Sequence, residues 1–190
     1  MKINYYGFKA IYLHEMNRFR RTLGQSLLSP VISTSLYFVV FGSVIGGYIQ
    51  NIDGVSYGSY IVPGLLMLTL LTQSISNTSF GIFFPKFNGT INEILAAPLS
   101  TLEIVLAFVG AGATKTLIVG AVIFLTASFF VDVTVKYPLL MIFLLILVSF
   151  TFALFGFLIG VASSNFEQMS IIPSLAVSYT HLTLPTNREV

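Results

Sequence analysis

Few side chains in this 190-residue sequence are of types that do chemistry, and their spacing assembles none of the usual catalytic sets. His14 and His181 lie far apart and match no metal-ligand spacing, and cysteine is absent, which removes disulfides, thiol catalysis and cysteine-ligated metals. No Ser/His/Asp or paired-carboxylate arrangement falls on one helix face, so catalysis is not expected. A G-x-x-x-x-G-K-[ST] loop, whose backbone amides and lysine would hold nucleotide phosphates, is also missing. No cofactor is therefore expected to be bound by this chain.

What remains is a set of polar side chains in apolar surroundings. Lys115, flanked by Thr114 and Thr116, has no opposite charge near it in sequence. A charge at the centre of a bilayer costs about 2.5–3.5 kcal/mol on insertion scales, so Lys115 must face a bundle interior or water, or snorkel to the interface. Its position leaves these open. Thr69, Thr72, Gln73, Ser74, Ser76, Asn77, Thr78 and Ser79 make one apolar run unusually polar on more than one side. With Lys115, Gln73 and Asn77 are candidates for lining a translocation path; the bland alternative is hydrogen bonding between helices. An ion-coupled site would need buried carboxylates, yet Glu103 and Asp132 sit at the ends of apolar runs, and no other acid is expected to be buried.

These side chains need a frame, and composition dictates which. The sequence is 55% hydrophobic and 8% charged, against about 25% charged in soluble domains. Its apolar runs are long and continuous, which selects an all-α, polytopic transmembrane helical bundle over a barrel. Four full spans are expected, at about Leu27–Tyr48, Ser59–Phe84, Ile104–Val131 and Leu139–Ala162, each near the roughly 20 residues a bilayer core requires. A partial fifth begins at Met169. Pro30 and Pro63 are placed near span starts, where a missing amide donor costs little. Ahead of the first span, Phe8, Tyr12, Met16, Phe19, Leu23 and Leu27 recur every three or four residues. That spacing predicts an interfacial amphipathic helix with basic residues on its other faces.

Lys and Arg fix the expected orientation. Lys2, Lys9, Arg18, Arg20, Arg21 and Lys86 fall on one side of the membrane and Lys136 alone on the other. The N-terminus and the Pro85–Leu102 segment are therefore expected in the cytoplasm, and the chain in a plasma membrane. The formal net charge of +2 gives no reason to expect a nucleic-acid partner. After Val177 the apolar pattern stops, and SYTHLTLPTNREV resembles translated vector sequence, so residues 1–177 are expected to be one transmembrane domain and 178–190 a non-native tail.

Three stretches carry a family resemblance: RFRRTLGQSLLSPVISTSLYFVVFG, then YIVPGLL continued by FPKFNGTINEILAAPLSTLEIVLA, then FGFLIGVASSNFEQMSIIPSLAV. Together they resemble the membrane subunits of type-2 ATP-binding-cassette (ABC) exporters, including multidrug and polysaccharide or lipo-oligosaccharide export permeases. The resemblance implies a six-span subunit, used as two copies with two separate ATPase subunits, moving a drug-like, lipid-linked or glycan cargo outward. Only four full spans are present here.

By spacing, Ile91, Ile94, Leu95 and Leu99 of the Pro85–Glu103 segment share an apolar face, leaving Lys86, Asn88, Asn92 and Glu93 for polar contacts. Such a segment either caps the bundle at the interface or couples it to a partner; the resemblance favours an ATPase-coupling loop. Gly42 with Gly46, and Gly156 with Gly160, are small-xxx-small pairs expected at helix contacts. Rival readings on residues alone are a secondary transporter and a membrane scaffold without cargo.

Overall fold

The computed structural model describes residues 4–45, 51–52, 55–131, 135–172 and 174. Among them, α1 (Tyr5–Arg21) is followed by α2 (Leu23–Tyr37), which continues in π-helical geometry over Phe38–Ile45. A two-residue antiparallel pairing of Asn51–Ile52 with Val55–Ser56 then leads into α3 (Tyr57–Phe87). The short α4 (Ile91–Ala96), the long α5 (Thr101–Ser128) and α6 (Pro138–Ala162) complete the bundle, and a further helical stretch starts at 166. Four helices are long and apolar enough to cross a membrane, so the described residues form an all-α polytopic bundle.

Helix bounds depart from the expected spans by a few residues, for local reasons. α2 starts at Leu23, which puts Pro30 well inside the helix rather than in its first turn. α3 runs through Pro85 to Phe87, because proline loses one hydrogen bond but does not forbid a helical turn beyond it. α5 starts at Thr101, where the Ser100 side chain accepts from the Glu103 amide and the Glu103 carboxylate accepts from the Ser100 amide, a reciprocal capping box.

Between spans in lipid the hydrophobic effect supplies little, so small residues and close backbone contact do the packing. α6 packs chiefly on α3. A Cβ built on Gly156 would meet the Ile75 carbonyl oxygen at 2.5 Å, and one on Gly160 the Ser79 carbonyl oxygen at 2.5 Å, so no larger residue fits either site without moving backbone. Gly112 and Gly120 of α5 likewise give room to Thr78 and Leu70 of α3. The other glycine pair is not described: Gly42 lies in the π-helical segment without a described environment, and Gly46 lies outside the described residues. The 178–190 tail and Asp132 are outside them too.

α1 tracks the N-terminal part of α5 in the same direction. Asn4 meets Glu103, the Tyr12 hydroxyl donates to Thr114 Oγ1 at 3.0 Å, and Phe19 packs in one cluster with Leu66, Leu70, Val119 and Ile123. The apolar stripe of α1 is thus largely spent on the bundle.

Candidate functional site

Two regions are candidates for function: the end of the bundle formed by α4 and its neighbours, and a polar groove between α2 and α3. At the first, α3 stops at Asn88, and Gly89 takes a positive φ of 79°, a backbone state that glycine adopts without penalty. The chain turns there into α4. Ile91, Ile94 and Leu99 pack inward on a cluster of Ile82, Ile104 and Phe108. Leu95 does not join them. It is 64% exposed, which corrects the shared apolar face expected from spacing: α4 is only six residues long, and its outer side carries Leu95 beside exposed Asn92 and Glu93. Asn88 is exposed as well.

Lys86 has partners within the chain. Its Nζ donates to the Val161 carbonyl at 2.7 Å and the Ser163 carbonyl at 2.8 Å, at the C-terminus of α6. Val161 is in the last turn of α6 and Ser163 is its C-cap, so neither carbonyl has a following intrahelical donor, and a cation is the favoured group there. The elbow is also held from the α1 side, where the Asn4 amide donates to Glu103 and Gly7 sits directly against Leu99. Between α1, the end of α3 and α4 lies a recess of about 460 Å³, with His14, Arg18, Asn88, Thr90 and Glu93 among its lining residues.

Glu15 also lines this recess, and it overturns the expectation that no further acid is buried: it is 2% exposed. Its Oε2 accepts from Lys115 Nζ at 2.7 Å and from Arg18 at 2.8 Å. Lys115, 3% exposed, therefore neither snorkels nor opens to water; it is neutralised by a carboxylate from another helix. A Cβ on Gly81 of α3 would come within 3.3 Å of the same oxygen. One carboxylate thereby joins α1 to α5, close against α3 at Gly81. The sequence carried a signal for it, since Glu15 falls within the stripe made by Tyr12, Met16 and Phe19, and an acid on an apolar face needs a buried cation.

The second region is a groove of about 200 Å³ lined by Ser29, Ser33, Thr34 and Tyr37 of α2 and by Thr69, Thr72 and Gln73 of α3. No charged residue lines it. Thr69 and Thr72 donate to carbonyls one turn back, which keeps their oxygens as acceptors. Asn77, one turn along, donates to Gln73 at 3.5 Å. Ser74, Thr78 and Ser79 are instead buried within the bundle. Gln73 and Asn77 thus lie together, while Lys115 belongs to the α1–α5 contact, and the three do not form one lining.

A bundle with four apolar helices long enough to cross a bilayer, and a polar elbow at one end, defines a multi-pass membrane protein. The chain belongs to the ABC-2 type transporter family, which it matches over residues 6–185, and is the membrane permease subunit of an ABC exporter. It is 35% identical over 178 residues to the inner membrane transport permease YadH of Escherichia coli K12, covering 94% of this chain and 70% of the relative. It is also similar to nodulation protein J of Neorhizobium galegae, 23% identical over 175 residues, covering 89% of this chain and 65% of that protein. No solved structure matches it.

Proposed function

We propose that this permease sits in the inner membrane and works as a pair with separate ATP-hydrolysing subunits, carrying a drug-like, lipid-linked or glycan cargo outward. The nucleotide and its hydrolysis belong to the partner, since the sequence has no phosphate loop. The observation that carries the reading is the elbow: α4 packs on α3 and α5 through Ile91 and Ile94, and Lys86 ties the end of α3 to α6, while Asn92 and Leu95 are exposed and Asn88 and Glu93, also exposed, line the 460 Å³ recess. A rigid protrusion with an exposed polar and aliphatic tip transmits a partner's movement instead of absorbing it. Cargo passes along the α2–α3 groove at Gln73, next to Asn77, with a second permease copy covering its open side. Lys115 serves by holding α1 to α5 rather than by touching cargo.

Glu93→Ala/Leu95→Ala in the full-length protein, co-expressed with its ATPase, tests this. Cargo-stimulated ATP hydrolysis should fall at least about tenfold, the effect of losing roughly 1.4 kcal/mol of coupling, with membrane insertion unchanged. Hydrolysis at the unmodified rate would remove the elbow from the coupling path.

A further inference from the structure

At the end of the bundle opposite the elbow, the start of α3, the end of α5 and the start of α6 diverge around a cleft of about 420 Å³. Its walls are apolar, with Val62 and Leu66 of α3, Phe124 of α5 and Met141 and Leu144 of α6, whereas Lys136 and Ser59 stand at its mouth. The α6 wall runs from Leu140 to Leu145, so the cleft follows the helix for about 8 Å at 1.5 Å per residue. Lys136 Nζ lies 5.6 Å from the Tyr137 ring centroid, and both side chains are exposed. A lysine with a tyrosine at the end of a span marks the level of the lipid headgroups. Leu140 and Leu144 are themselves partly exposed, so the cleft opens sideways, toward the surroundings of the span.

We infer that this cleft is a binding site for an anionic phospholipid of the bilayer, with an acyl chain between α3, α5 and α6 and the headgroup paired with Lys136. The apolar walls exclude a polar solute. Lys136, the one charged side chain among the described residues that line the cleft, complements a net negative headgroup, whereas a zwitterionic lipid brings an ammonium of its own to the same place. Entry from the side needs no path through water. A lysine near a membrane surface favours an anionic lipid by about fivefold.

Because the sequence contains no tryptophan, Phe124→Trp places a single fluorophore in the cleft. Leu158→Trp, on the exposed face of α6, reports ordinary lipid contact. Each full-chain protein is reconstituted in phosphatidylcholine vesicles that contain either brominated phosphatidylglycerol or brominated phosphatidylcholine. The cleft fluorophore should be quenched at about fivefold lower mole fraction by the anionic lipid, the Leu158→Trp reporter equally by both, and Lys136→Gln should abolish the preference. Should Phe124→Trp fail to fold, Tyr137→Trp at the exposed mouth gives the same reading. Equal quenching by the two lipids, a preference that survives Lys136→Gln, or a cleft reporter shielded from both lipids by another occupant such as a second copy would each overturn the assignment. None of these readings involves cargo or ATP, so the outcome is separate from that of the coupling experiment.

Discussion

Glu15 shares one carboxylate oxygen between Lys115 and Arg18, while its other oxygen is buried without a protein partner. Removing either member of a buried pair strands the other charge, at a cost of about 3–5 kcal/mol, whereas replacing both with apolar residues of similar size is close to neutral. Glu15→Met, which strands Lys115, should therefore lower the thermal unfolding midpoint of the purified protein strongly; Lys115→Met should lower it less, because Arg18 still pairs with Glu15, and the double variant should recover most of the Glu15→Met loss. Additive losses would mean that the two do not act as a pair. Pairing was only half legible in the sequence. Lys115 stood out as a charge within a span, but its partner lies 100 residues away in a helix whose apolar stripe drew attention to Tyr12, Met16 and Phe19 rather than to the acid among them. Spacing along one helix cannot report which other helix supplies the counter-charge.

The spanning helices themselves were legible, because apolar runs of sufficient length leave the backbone no other solution in lipid. Their ends were less so. Pro30 and Pro85 lie inside helices that a reading by helix breakers would start or stop at those points. The six-residue α4 was legible as a polar interruption, but a helix that short shows too few turns for spacing to fix which side is buried, and Leu95 faces out as a result. Small-residue pairs announced close helix contacts without saying where. The structure puts Gly156 and Gly160 on the α3 backbone at Ile75 and Ser79, so Gly160→Leu should separate α3 from α6. Overpacking of this kind costs about 1–3 kcal/mol or more. A reduced unfolding midpoint checks this, whereas Gly64→Leu, where a Cβ meets nothing within 4 Å, should leave the midpoint unchanged.

For the whole molecule, we propose from the uneven placement of Lys and Arg that the elbow and N-terminus face the cytoplasm and the Lys136 end faces out. Without native cysteines, single labels are clean. In sealed right-side-out vesicles, a membrane-impermeant maleimide should modify Tyr137→Cys at once and Asn92→Cys only after permeabilisation. The reverse pattern would invert the proposed topology and, with it, the direction of transport.

Lys86 bears on how such a molecule moves. By gripping carbonyls at the C-terminus of α6 from the last turn of α3, it is placed as a tie-rod: under the proposed coupling, a push delivered at the elbow would reach two membrane crossings at once. The stroke would then be shared between paired helices tilting as a unit, with the α2 side of the groove as the wall against which they swing.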